Sequence, residues 1–110
     1  MNNKYFTIIT FYQFKIIKDK KDIITKLKDF CKFNKIKGTI LIADEGINGT
    51  IAGLEKNINS FIPFLENFSF EKLNLKKSKY KYMPFQRLKI RNKNEIVTLR
   101  TKFSDPTKIS

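Results

Sequence analysis

The chain has 110 residues, which is enough for one hydrophobic core and too few for two ordinary domains. Its 23 Lys and Arg against 10 Asp and Glu give a formal net charge of +13, which attracts polyanions, although AT-rich coding sequences produce part of such a lysine excess without selection for binding. With a single Cys and no His, the sequence excludes an intrachain disulfide and the usual Ser-His and Cys-His nucleophile pairs, and we expect no catalytic residue, metal site or cofactor.

The sequence gives no sign of export or of membrane insertion. Its amino terminus lacks a signal-peptide profile, and no apolar run approaches the roughly 18 residues that span a bilayer. We therefore expect a cytoplasmic protein with no membrane partner.

The first predicted element is a strand from Tyr5 to Phe14, where β-branched and aromatic residues alternate with few charges. Both of its faces are apolar, which is typical of a central strand in a sheet. Tyr5 and Tyr12 leave two interpretations open, core packing, which the pattern favours, and stacking on nucleic-acid bases.

An amphipathic helix is predicted to follow from Asp19, because apolar residues such as Ile23 and Leu27 recur at helical spacing. Asp19 is its predicted N-cap, and the helix should end near Asn34. Cys31 shares the apolar face, so a buried structural thiol is favoured over a reactive one.

The stretch from Lys37 to Gly53, KGTILIADEGINGTIAG, is typical of a strand, a tight turn and a second strand. We place the turn between Asp44 and Gly49, with Asn48-Gly49 as a dipeptide that accepts positive φ. Glu45 or Asn48 is expected to fix this turn by side-chain to backbone hydrogen bonds, and Gly46 and Gly49 to supply backbone freedom. Contact of this loop with RNA or with a neighbouring domain is a further interpretation.

The adjacent carboxylates of Asp44 and Glu45 raise the question of a paired acid/base site. Neighbouring residues of an extended chain point to opposite faces, so the two groups do not converge on one substrate bond. Catalysis at this pair is therefore not favoured.

Apolar residues spaced i, i+3, i+4 and i+7 predict a second helix on the same sheet face as the first: Ile58, Phe61, Ile62 and Leu65. Pro63 interrupts this pattern. The helix is either kinked there or begins late, with Ser60 as its cap and the proline in its first turn.

Beyond this helix, Leu73 and Leu75 predict a short strand, followed by a basic, exposed segment as far as Tyr82. An added hairpin should come next. Its first strand alternates so that Leu88 and Ile90 face the core while three cations line the opposite face, Arg87, Lys89 and Arg91. Its second strand is expected at residues 95–99.

The order strand, helix, strand, strand, helix, strand predicts an α+β protein with a ferredoxin-like βαββαβ fold. This arrangement is an antiparallel sheet with two helices on one face, here with the extra carboxy-terminal hairpin. We assign residues 1–103 to this domain and residues 104–110, which lack periodicity, to a linker.

Basic residues concentrate between Lys72 and Lys102, where eleven cations stand against one acid, Glu95. Aromatic residues lie among them, a composition typical of surfaces that follow a phosphate backbone and stack on unpaired bases. The alternative is a solvated charged face in a lysine-rich protein. The candidate RNA-binding residues are Lys79, Lys81, Arg87, Lys89, Arg91 and Lys93.

Two separated blocks, GTILIADEGINGTIAG and the run from Met83 to Leu99, MPFQRLKIRNKNEIVTL, resemble the amino-terminal domain of the tRNA uridine(34) hydroxylases, the TrhO family. The resemblance implies an acylphosphatase-like fold and binding to the anticodon region of tRNA. It also implies that the whole protein forms 5-hydroxyuridine at the wobble position in an oxygen-dependent reaction.

In that family the essential cysteine belongs to a rhodanese-like domain that follows this one, so the resemblance does not transfer its role to Cys31. We expect residues 104–110 to lead toward such a domain, which this chain lacks, and the chain alone to bind tRNA without catalysis. The alternative is a domain that docks on a protein without touching RNA. A small enzyme acting on an anionic metabolite is the least favoured interpretation, because the chain has no His.

Two other activities of ferredoxin-like proteins lack their residues here. KGTILI has the Lys-Gly opening of an RNA recognition motif without its aromatic residues. The segment from Phe14 to Asp19 has neither the Gly nor the Arg of an acylphosphatase phosphate cradle.

Overall fold

The structure is a computed structural model that describes residues 5–92. Its elements are β1 (Phe6–Phe14), α1 (Lys20–Phe33), β2 (Lys37–Ala43), β3 (Gly46–Leu54), α2 (Glu55–Glu66), β4 (Asn74–Tyr80) and β5 (Leu88–Asn92). This order confirms the prediction as far as β5. The predicted second strand of the hairpin, the linker 104–110 and Lys93 lie outside the described residues.

The five described strands form one sheet in the order β4-β1-β3-β2-β5. The first four strands pair antiparallel, as the ferredoxin-like arrangement requires, and β5 joins the edge of β2 in parallel. The predicted α+β class is confirmed, and the added strand makes the sheet a mixed one.

The core lies between one face of the sheet and the two helices. Phe61 of α2 is fully buried, and its ring centroid is 5.4 Å from that of Phe11 in β1 and 6.2 Å from that of Phe30 in α1. Both helices therefore lie on the same face. Burial of a large aliphatic or aromatic side chain stabilises the fold by about 1.5–3 kcal/mol. The buried residues of the two helices are Ile23, Leu27, Cys31, Ile58, Phe61 and Leu65.

The helix ends differ in part from the predictions. Asp19 is the N-cap residue of α1, although its side chain makes no capping hydrogen bond, and Asn34 is the C-cap. The predicted late start of α2 is wrong: the helix begins at Glu55, Pro63 lies inside it, and the Ser60 hydroxyl donates to the Lys56 carbonyl at 3.1 Å. Ile58, in the first turn of α2, is fully buried, so the helix packs against the core from its beginning.

The turn between β2 and β3 consists of Asp44 and Glu45, so the predicted turn from Asp44 to Gly49 begins at the right residue but is four residues too long. Asn48 and Gly49 lie within β3, opposite Leu41 and Ile40 of β2. A two-residue turn brings Ile47 into the core, whereas a turn at Asn48 would leave it in the loop.

The glycines of β3 serve close packing and not the positive φ that we expected. A Cβ on Gly46 would lie 2.5 Å from the carbonyl oxygen of Gln13, and one on Gly49 would lie 2.7 Å from that of Thr39. Among glycines of the described segment, Gly38 has the positive φ, at 131°.

The turn is held by the segment that follows β1. The amide of Lys15 donates to the Glu45 carbonyl at 3.0 Å, and the amide of Ile17 donates to the Asp44 carbonyl at 2.9 Å. Lys20 Nζ lies 2.7 Å from Asp44 Oδ1 and donates to Asn92 Oδ1 at 3.3 Å, and only 11% of the Lys20 side chain is exposed. This lysine ties the start of α1 to the turn and to the end of β5.

β4 is longer than the short strand that we expected at Leu73 and Leu75. It includes most of the basic segment that was predicted to follow that strand. It runs from Asn74 to Tyr80, pairs with β1 and is exposed along its whole length. The sequence pattern missed it because the pairing is made by the backbone, which an edge strand can do without apolar side chains.

Candidate nucleic-acid interface

The sheet face turned away from the helices is here called the open face. No other helix or strand of the described residues covers it. Successive residues of β1 point to opposite sides of the sheet. Ile9 and Phe11 are buried under the helices, whereas 46% of Tyr12 and 80% of Phe14 is exposed on the open face. The predicted central position of β1 is confirmed, but only one of its faces is buried.

The strand registers arrange the side chains of the open face in rows that cross all five strands. The row at its centre, here called the threonine row, contains in sheet order Lys76, Thr10, Thr50, Thr39 and Lys89. The hydroxyls of Thr10 and Thr50 lie 3.2 Å apart and share a hydrogen bond. With strands about 4.8 Å apart, the row places two ammonium-bearing residues roughly 19 Å apart with hydroxyls between them.

The neighbouring row combines aromatic, amide, aliphatic and cationic side chains, in the order Asn74, Tyr12, Asn48, Leu41 and Arg91. Beyond it, Phe14, Gly46 and Ala43 lie side by side. The small residues leave a depression of about 450 Å³, here called the hollow. It is lined by Tyr12, Asn48 and Leu41 of this neighbouring row, by Phe14, Gly46 and Ala43, and by Glu45 of the turn.

The aromatic wall of the hollow consists of two rings in contact. The rings of Tyr12 and Phe14 meet edge to face with their centroids 5.9 Å apart. Across from them, the side-chain amide of Asn48 makes no hydrogen bond with the described part of the chain. Asn48 therefore presents donors and an acceptor to solvent. Of the two residues that we expected to fix the turn, Glu45 or Asn48, Asn48 does not do so.

The structure separates the sequence-predicted cations. Lys89 and Arg91 are exposed on the open face of β5, and Arg87 is exposed just before that strand. Lys79 lies at the other edge of the sheet and on its helix side, with Nζ 3.4 Å from Glu55 Oε1. Lys81 is exposed just beyond β4.

Sequence reasoning missed several residues of this face, namely Phe14, Lys76 and the three threonines. The alternation of β1 did place Thr10 and Tyr12 on one side, but alternation alone does not show which side the helices cover. Registers between strands distant in sequence were also needed to bring Lys76 into line with Lys89.

The chemistry offered by the open face is that of binding. Its cations suit phosphates, its rings suit bases, and its hydroxyls and amide suit hydrogen bonds to either. Residues 5–92 contain no group of three His, Cys, Asp or Glu side chains able to hold a metal ion. None of the helices in this range is long and apolar enough to cross a membrane.

Cys31 lies on the other side of the sheet, in the core. It is a free, fully buried thiol, as predicted. Burial raises the pKa of this thiol from 9.0 to about 12, because a thiolate there would lose its hydration. The group is therefore neutral at physiological pH.

Comparison with known proteins identifies related sequences over nearly the whole chain. A family model described as the UPF0176 acylphosphatase-like domain matches residues 6–96. The tRNA uridine(34) hydroxylase of Bradyrhizobium diazoefficiens is 40% identical over 112 residues, covering 97% of this chain and 44% of that protein. The protein of the same name from Wolbachia sp. subsp. Brugia malayi is 40% identical over 111 residues, covering 92% of this chain and 41% of that protein. The chain thus spans less than half the length of these curated relatives.

Solved structures share the fold at low sequence identity. Full-length HypF in a phosphate- and nucleotide-bound form matches 81% of this chain and 12% of its own, with a TM-score of 0.59 and 15% identity. The dark-state BLUF protein BlrB matches 91% of this chain and 81% of its own, with a TM-score of 0.59 and 13% identity. At such identities the likeness concerns the fold alone.

Proposed function

The chain belongs to the UPF0176 acylphosphatase-like domain family, and we propose that it is the tRNA-binding amino-terminal domain of a tRNA uridine(34) hydroxylase, with the open face as its RNA surface. The observation that carries this proposal is the threonine row, in which hydroxyls run between Lys76 and Lys89 across the whole sheet. Cations with hydrogen-bonding groups between them suit a nucleic-acid backbone.

Charge on the open face supports an anionic partner. The described strand residues of this face include Lys37, Lys76, Lys89 and Arg91 and no Asp or Glu. Lys89 and Arg91 of β5, with Arg87 just before it, recur every second residue, a repeat of roughly 6.6 Å along an extended chain. Such a row can contact successive phosphates of one extended strand, and the release of counterions would favour binding.

The hydroxylation named for the relatives belongs to proteins more than twice as long as this chain. In our proposal, a rhodanese-like domain outside this chain performs the oxygen-dependent formation of 5-hydroxyuridine. The present domain holds the anticodon region of the tRNA in the cytoplasm and supplies no reacting group. The neutral, buried thiol of Cys31 agrees with such a division of roles.

The test is the affinity for a tRNA with U34 and for an unrelated duplex, between about 50 and 200 mM salt. We expect tRNA to bind more tightly and with a steep salt dependence. Replacing Lys89 and Arg91 by Ala should weaken tRNA binding by roughly tenfold or more and reduce the salt slope by about 2.

The matched control is Lys21→Ala with Lys28→Ala, which removes the same charge from the exposed side of α1. We expect this variant to keep most of the affinity. Equal losses in both variants would show that binding follows net charge alone. Negligible tRNA binding by the unmodified chain would overturn the proposal in favour of the other candidate, a protein-docking domain.

A further inference from the structure

We propose that the hollow binds one unpaired nucleobase, so that the open face holds a single-stranded nucleotide by its base as well as by its phosphate. The inference rests on the proposed RNA-binding function and adds a base-binding subsite to it. The subsite comprises Tyr12, Phe14, Leu41 and Asn48. Glu45 of the turn also lines the hollow, and Arg91 lies beside Leu41 on the next strand.

The shape of the hollow follows from the sizes of adjacent residues. Phe14 is aligned with Gly46, and Gly46 with Ala43, so one large ring stands beside two residues that offer little or no side chain. Leu41 bounds the hollow on the side of β2. The resulting volume of about 450 Å³ lies within the roughly 300–1,000 Å³ of small-molecule sites.

Its walls suit the flat face of a base. Phe14 is 80% exposed, and its ring lies edge to face against that of Tyr12. Stacking of a base on such a ring is worth about 1–3 kcal/mol. Phe33 is similarly exposed, at 85%, but it lies at the end of α1 and does not line the hollow.

The polar groups suit the rest of a nucleotide. The Asn48 amide offers a donor and an acceptor side by side, which complements the adjacent acceptor and donor on the hydrogen-bonding edge of a base. Leu41 and Arg91 follow Asn48 in the same row. A base that stacks on Tyr12 or Phe14 can also reach the amide of Asn48 in β3. The guanidinium of Arg91, two strands from Asn48, is then available to bind the phosphate of the same nucleotide.

The experiment uses Phe14→Trp, which keeps an aromatic wall and gives the full chain its single tryptophan. The probes are a uridine heptamer and a fully abasic ribose-phosphate heptamer with equal numbers of phosphates. At saturation, the uridine heptamer should quench the indole fluorescence by at least about a third, as expected for stacking, and the abasic heptamer should leave it unchanged. Phe33→Trp is the matched control, and its fluorescence should respond to neither probe.

A second variant tests the amide. In the otherwise unmodified chain, Asn48→Ala should weaken binding of the uridine heptamer by roughly tenfold, as for one lost hydrogen bond with its partner left unpaired. Affinity for the abasic heptamer should stay the same. Circular dichroism of this variant should match that of the unmodified chain, since Asn48 is exposed.

Two failures are distinguishable. If both heptamers bind equally, depend on Lys89 and Arg91, and leave the indole unquenched, the base subsite is overturned and the RNA-binding function stands. If neither heptamer nor tRNA binds, the proposed function falls, and the subsite falls with it.

Discussion

The helix-covered face and the open face of this sheet are made from alternate residues of the same strands and have opposite chemistry. Phe11 of β1 packs on Phe61, while its neighbour Tyr12 stands in a row with Asn48 and Arg91. One face stabilises the fold through apolar burial, and the other presents cations, hydroxyls and rings. The two sets of residues can therefore be changed independently, which makes the difference between the faces testable.

The largest effect should come from Phe61→Ala, which removes a fully buried ring that contacts Phe11 and Phe30. We expect the free energy of unfolding to fall by about 3–5 kcal/mol, through lost burial and the cavity left behind. Urea denaturation measures the change. Phe14→Ala removes the same side chain from the open face and should change stability by less than about 0.5 kcal/mol.

This pair of variants tests the comparison directly. Similar losses from both would mean that the open face is also part of a packed core in solution. A large loss from Phe14→Ala alone would contradict the assignment of the faces.

An intermediate effect is expected from adding one methyl group to β3. In Gly49→Ala the new Cβ would lie 2.7 Å from the Thr39 carbonyl oxygen and 2.9 Å from the Phe11 ring. The backbone cannot yield easily, so we expect a loss of about 1–3 kcal/mol in thermal or urea denaturation.

Gly53→Ala is the matched control on the same face of the same strand. There the nearest atom is a side-chain carbon of Ile36 at 3.2 Å, which can shift by a few tenths of an ångström. It should cost less than Gly49→Ala. The reverse order would show that β3 does not pack against β2 as closely as described.

The smallest effect concerns pH. Well below pH 9 the Cys31 thiol is neutral in both the folded and the unfolded chain, so it adds no pH dependence there. Above pH 9 the unfolded chain releases the proton while the folded protein keeps it, because burial raises the folded pKa to about 12. The free energy of unfolding should then fall as pH rises, by up to about 1.4 kcal/mol per pH unit.

Comparison with Cys31→Ala isolates this contribution from other groups that titrate in the same range. At pH 8 the unmodified protein should be the more stable, since the variant leaves a small cavity. At pH 10 the difference in urea denaturation should be smaller. A constant difference would show that the thiolate is tolerated in the fold.

Periodicity was enough to predict β1, both helices and the faces of β5, because each buries one set of side chains at a regular interval. It failed where packing between distant strands decides the structure. Asn48-Gly49 has the composition of a turn, but Gly49 is needed for close contact with β2 and Phe11. β4 buries no residue and so leaves no apolar pattern.

The candidate site was less predictable than the fold for a related reason. The cations of residues 72–92 are close in sequence, but the chain passes from one edge of the sheet at β4 to the other at β5. Lys79 consequently faces the helices, whereas Lys76 and Lys89 share a row on the open face. Only the strand order and registers reveal this.

The lysines of β4 also bear on how the protein behaves when concentrated. β4 is an outer strand of the described sheet, and the unpaired backbone groups of such a strand can recruit a second molecule and begin aggregation. If two molecules paired through β4, the lysines of one strand, Lys76, Lys77 and Lys79, would lie close to the same lysines of the other. Repulsion between these like charges opposes the pairing. Salt screens this repulsion. Concentrated solutions of the protein should therefore aggregate more slowly at low ionic strength than at high ionic strength.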